Sequence, residues 1–98
     1  MAVNLDEFKE YLDPARINAY SLFHSRGIYQ HQRAETQEKR VINLTRSGFP
    51  GQQKYATITW NGDTSARWDV LGKSIADGLN FCLSGQPYWS QDIGGFFL

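Results

Sequence analysis

Three short stretches place a charged group beside an aromatic ring, each at the end of a run with little helical character. The first is Trp60-Asn61-Gly62-Asp63, where an acid follows a glycine turn and an indole lies three residues before it. A carboxyl beside an apolar ring suits general acid–base chemistry, in which a positioned side chain hands a proton to a leaving atom. From spacing alone, a turn aspartate or a cap for the next helix explains the same residue more economically. The second is Arg46, closing the run Val41-Ile42-Asn43-Leu44-Thr45. Its planar fork of donors suits a substrate hydroxyl or a carboxylate, and a surface arginine or structural ion pair is the simpler alternative. The third is Asp92-Ile93-Gly94-Gly95-Phe96. Asp92 could accept hydrogen bonds from loop amides or from substrate hydroxyls. Trp60 and Phe96 could stack on a sugar ring, although such rings more often fill a core.

Other chemistries find little support. Ser47 and Ser84 lack the strand–turn–helix context of a nucleophilic serine. Gly94-Gly95 does not open a helix or follow a dinucleotide pattern, so it is no phosphate loop. His24 and His31 are read as falling on different faces of one helix with no acid to complete a ligand set, so no metal site and no cofactor is expected. Cys82 is the single cysteine, which excludes an internal disulfide and suits a buried strand residue. The 98 residues carry 10 basic and 10 acidic side chains. That balance offers no basic surface for nucleic acid or an anionic membrane. No apolar run approaches the roughly 20 residues that span a bilayer. The opening MAVNLDEFKEYL is acidic and amphipathic, so it does not read as a signal peptide, and the cellular location stays open.

The elements that must position these groups follow from periodicity. Leu5, Phe8 and Leu12 predict a short first helix, and Ile17, Tyr20, Leu22, Phe23 and Ile28 a longer one from about residue 16 to 29. A solvated segment reaches residue 40. Strands are predicted at 41–45 and 55–60. A helix capped by Thr64 or Ser65 carries Trp68, Leu71 and Ile75 and ends at Gly78. A third strand is predicted at 79–83, followed by a loop rich in glycine and aromatics. Alternation of this kind predicts parallel β/α units, with each polar group on the loop after a strand. In a β/α barrel those loops form the face where active sites are built. Three parallel strands with two crossover helices would leave both sheet edges open, so the expectation is a piece of a larger barrel.

Taken in order, Leu44-Thr45-Arg46-Ser47-Gly48-Phe49-Pro50-Gly51, Trp60-Asn61-Gly62-Asp63, Leu83-Ser84-Gly85 and Asp92-Ile93-Gly94-Gly95-Phe96 resemble glycoside hydrolase family 31, the α-glucosidases and α-xylosidases. The resemblance runs from about Asn18 to Phe97, within a family-like segment 16–98; residues 1–15 match nothing in the family pattern. It implies that the whole chain, 1–98, is a fragment of a (β/α)8 TIM barrel, holding roughly strands five to seven with their helices. It implies retaining hydrolysis of terminal α-glucosides or α-xylosides, with Asp63 as general acid/base. Arg46, Trp60, Asp92 and Phe96 then take the substrate-binding positions. A retaining glycosidase needs two carboxyl groups about 5 Å apart, one attacking the anomeric carbon and one protonating the leaving oxygen. The family nucleophile belongs to an earlier strand, so the piece is expected to be inactive alone, to need the rest of the barrel and to self-associate through its open edges. Two readings compete with it: a non-catalytic sugar-binding remnant, and a structural piece that pairs with another chain.

Overall fold

The computed structural model describes residues 13–98, so the predicted helix around Leu5, Phe8 and Leu12 lies outside the described residues. A 3-10 turn, Ile17–Ala19, leads into helix α1, Tyr20–Glu35. This helix starts later and runs longer than periodicity suggests. At its C-terminal end Gln37 Nε2 donates to the Arg33 carbonyl, and Arg33 Nη1 reaches beyond the helix to donate to the Lys39 carbonyl at 2.9 Å. Strands β1 (Asn43–Thr45), β2 (Thr57–Trp60) and β3 (Trp89–Ser90) form one parallel sheet in the order β1-β2-β3. Helix α2, Trp68–Leu83, crosses between β2 and β3. The fold is thus α/β, and the parallel β/α reading holds.

Register sets the two faces of the sheet. Asn43 aligns with Thr57, Thr45 with Thr59, and Thr59 with Trp89. Asn43, Thr57 and Thr59 are buried, and the Trp89 ring lies against Gly78 of α2, so this set faces the helices. Side chains alternate along a strand, which turns Leu44, Ile58, Trp60 and Ser90 to the opposite face.

Five expectations are corrected. The segment 79–83 is the last turn and a half of α2, and the third strand lies at Trp89–Ser90. Gly78 does not end the helix; it makes room for Trp89. The helix ends at Leu83 with Ser84 as its C-cap, and Gly85 follows at φ +86°, the left-handed conformation that terminates helices. Cys82 is consequently an exposed helical residue rather than a buried strand residue. Thr64 and Ser65 cap nothing: Phe96 and Phe97 donate backbone N–H to the Thr64 carbonyl at 2.7 and 3.0 Å, and Ser65 bridges Phe97. The second strand begins only at Thr57, because Gln52–Tyr55 forms a 3-10 turn.

The interior is polar. Val41 is the buried hydrophobic residue among those described, whereas Ser21, Ser25, Asn43, Gln52, Thr57, Thr59, Ser74 and Gln86 are buried. Asn43 Nδ2 donates to the Tyr55 carbonyl at 3.0 Å, and α1 turns its serines, not its predicted apolar side, toward the sheet. Outward lie Trp68, Leu71, Ile75, Leu79 and Leu83, an exposed apolar stripe along α2.

Two glycines of α2 make opposite predictions. A Cβ at position 78 would lie 2.5 Å from Cζ3 of Trp89, while one at 72 meets nothing within 4 Å. Alanine in a helix gains about 1 kcal/mol over glycine, and overpacking costs about 1–3 kcal/mol. Gly78→Ala should therefore lose up to about 2 kcal/mol of stability, and Gly72→Ala should gain up to about 1 kcal/mol. Urea unfolding followed by far-UV circular dichroism checks both signs.

Candidate active site

The C-terminal ends of the three parallel strands lie side by side, and the polar groups singled out from the sequence gather there. Arg46 follows β1 immediately and shares the face of Leu44, two residues earlier. Trp60 ends β2 on that same face. Their side chains meet: the Arg46 guanidinium carbon stands 5.1 Å from the centre of the Trp60 ring, within cation–π reach. Beyond Trp60 the chain turns at Gly62, whose φ of +80° is one that residues with a Cβ rarely adopt. Asn61 Nδ2 donates to Ser74 Oγ at 3.3 Å, tying the turn to α2. That turn delivers Asp63 to Arg46, and Arg46 Nη2 donates to Asp63 Oδ1 at 2.5 Å.

The loop after β3 supplies the third wall. Asp92 lies two residues beyond Ser90, and Gly95 N–H returns to the Asp92 carbonyl at 2.9 Å. Phe96 is held by its backbone bond to Thr64 and by an edge-to-face contact with Phe97, ring centres 4.9 Å apart. One cavity of about 390 Å³ is lined by Leu44, Arg46, Trp60, Asp63, Ser90, Gln91, Asp92 and Phe96. All five residues expected from the sequence line it. Leu44, Ser90 and Gln91 were missed; strand alternation could have found Leu44, two residues before Arg46, but not Ser90, because the third strand was expected at 79–83. A second cavity, of about 280 Å³, opens on the other side of Gln91 and Asp92 against the start of α2.

Chemically, the cavity combines two carboxylates, one guanidinium, an indole and a phenyl ring. That set can accept and donate hydrogen bonds to hydroxyls while covering an apolar ring face. Among the described residues no three of His, Cys, Asp and Glu converge as a metal site would need. His24 and His31 both belong to α1, and their seven-residue spacing does return them to one side of it, contrary to the sequence reading. That spacing separates them by roughly 10 Å along the axis, too far to share an ion. His24 Nδ1 instead stands 3.3 Å from the Tyr20 hydroxyl.

The Arg46–Asp63 pair joins side chains 61% and 30% exposed, so water screens it. Replacing Asp63 by Asn should change unfolding free energy by less than about 1 kcal/mol. A loss above about 2 kcal/mol in urea titration would mean that the pair serves the fold rather than the cavity.

The model of the glycosyl hydrolases family 31 TIM-barrel domain matches residues 4–97. The α-xylosidase of Saccharolobus solfataricus is 48% identical over 81 residues, covering 83% of this chain and 11% of that protein. α-Glucosidase 2 of Bacillus thermoamyloliquefaciens is 35% identical over 79 residues, 81% of this chain and 10% of the relative. The crystal structure of the family 31 α-xylosidase from Xanthomonas citri superposes with a TM-score of 0.78 at 45% identity, over 82% of this chain and 9% of that one. The chain thus spans about a tenth of the length of these relatives.

Proposed function

The chain belongs to glycosyl hydrolase family 31, and from that premise we propose that it forms part of the catalytic barrel of a retaining α-glycosidase, with Asp63 as its general acid/base. The observation that carries this reading is the single cavity in which Arg46, Trp60, Asp63, Asp92 and Phe96 meet from three separate strand ends. Its volume falls within the range of small-ligand pockets. The substrate is a terminal α-linked glucose or xylose, since enzymes named for each kind lie among the relatives.

On this reading an aspartate from another part of the barrel attacks the anomeric carbon while Asp63 gives its proton to the departing glycosidic oxygen. Asp63 then takes a proton from the water that opens the glycosyl-enzyme ester. Arg46 donates to a sugar hydroxyl once substrate competes with Asp63 for its fork, and Asp92 accepts from another hydroxyl. Trp60 and Phe96 cover the ring faces. Because the attacking carboxylate is not supplied by these residues, the chain alone forms no covalent intermediate and turns nothing over. We place the three strands as roughly the fifth to seventh of eight. The open outer sides of β1 and β3 and the apolar stripe of α2 are then the surfaces that the remaining barrel covers, and through which the lone chain self-associates.

A chimera tests the assignment. The chain is placed in the S. solfataricus α-xylosidase in exchange for its matching segment, and folding is confirmed by a cooperative thermal transition. The folded chimera should hydrolyse isoprimeverose, an α-xylosyl disaccharide. Its Asp63→Asn variant should lose about 10²- to 10⁴-fold in kcat/KM on that disaccharide. It should lose much less on α-xylosyl fluoride, whose leaving group needs no proton. A folded chimera whose variant cleaves both substrates at the parental rate would rule out the role given to Asp63.

A further inference from the structure

The buried polar interior is not spread evenly; much of it converges on the two residues that flank Arg46. Gln52 is fully buried, at 0% exposure, and Ser25 beside it is 1% exposed. The Gln52 side-chain amide nitrogen stands 3.2 Å from the Ser47 carbonyl, 3.4 Å from Thr45 Oγ1 and 3.1 Å from Ser25 Oγ. A carbonyl can only accept, so the Ser47 contact fixes which end of the amide points there. The same carbonyl also accepts from Ser21 Oγ and Thr45 Oγ1, both at 2.8 Å. Helix α1, the end of β1 and the 3-10 turn at Gln52–Tyr55 are thereby tied together around one backbone oxygen.

Arg46 sits between Thr45 and Ser47, and its own side chain is 61% exposed. Beyond that backbone anchor, its only polar or aromatic partners among the described residues are Asp63 and Trp60. We propose that Gln52 is a positioning residue: its buried amide sets the backbone on both sides of Arg46 and so aims the guanidinium over Trp60 and into the cavity. An apolar side chain of similar length could fill the space at position 52 and would need no partners. It would leave the Ser47 carbonyl with fewer donors and the arginine with a looser base. The consequence for sugar binding rests on the reading of Arg46 as a sugar contact; the consequence for the arginine itself does not.

Two readouts separate these. In the chain itself, the Arg46 Nε–Hε resonance should be displaced by the Trp60 ring current and should show the heteronuclear Overhauser effect of a restrained group. Gln52→Met should move that resonance toward the position of a free arginine and weaken the effect. Arg67, paired at the surface with Asp69, serves as the internal control and should not shift. Ser21→Ala removes another donor from the Ser47 carbonyl and should move Arg46 in the same direction by less. Should Gln52→Met fail to give a dispersed amide spectrum, Ser21→Ala decides alone. An unchanged Arg46 resonance in a folded variant overturns the proposal. In the chimera, Gln52→Met should raise KM by about tenfold and change kcat by less than about twofold, the pattern of lost uniform binding. A chimera indifferent to Asp63→Asn sinks the role given to Asp63 while leaving the Arg46 resonance test intact.

Discussion

Parallel register is the constraint on which the site depends. Three short strands are paired so that Thr45 lies opposite Thr59, and Trp60 opposite Ser90. With every strand running the same way, their C-terminal ends share one edge, and the loops leaving them must share one space. Alternation then divides the residues. One set, including Thr59 and Trp89, packs toward the helices; the other, including Leu44, Trp60 and Ser90, faces the cavity. Arg46 and Asp92 each follow a cavity-facing residue by two positions and continue its direction past the strand end. A slip of one residue in β1 or β3 would send these groups to the helical side.

What fills the helical side is unusual for so small a unit. Serines, threonines, an asparagine and a glutamine are buried there, while large apolar side chains such as Trp68, Ile75 and Leu79 lie outward. Ser21 Oγ, Asn43 Nδ2 and Gln52 Nε2 have hydrogen-bond partners, whereas Thr57 Oγ1 and Gln52 Oε1 have none. Buried polar groups are tolerated where their partners are in place, and they impose geometry more strictly than apolar contacts do. Here the best-connected of them brace the end of β1. On the proposed reading, the outward apolar stripe of α2 is a surface that the rest of the barrel covers.

Asp63 and Arg46 draw the two themes together. Their pair forms at the surface of the cavity, where water weakens it, so it adds little to the fold. It is well suited to being opened by a ligand that offers hydroxyls to the guanidinium. Trp60 lies beneath the same arginine, its ring centre 5.1 Å from the guanidinium carbon.

Much of the site was legible in the linear order of residues. Arg46, Trp60, Asp63, Asp92 and Phe96 stand in motifs whose order resembles the family, although from spacing alone each has a simpler structural reading. Parallel β/α organisation followed from periodicity. The choice between helix and strand at 79–83 did not, because a short apolar run fits either period and only packing decides. There Gly78 receives the Trp89 ring, which lets the helix continue and moves the third strand to residues 89–90. Likewise Thr64 and Ser65 have the side chains of helix caps, yet the tail at Phe96 and Phe97 claims their backbone. The sequence alone determined which groups could do chemistry and that they belong to loops following strands. That Arg46 reaches Asp63 across seventeen positions, braced by a glutamine whose role no local pattern announces, was decided by tertiary structure, since such contacts exist only once the strands have paired.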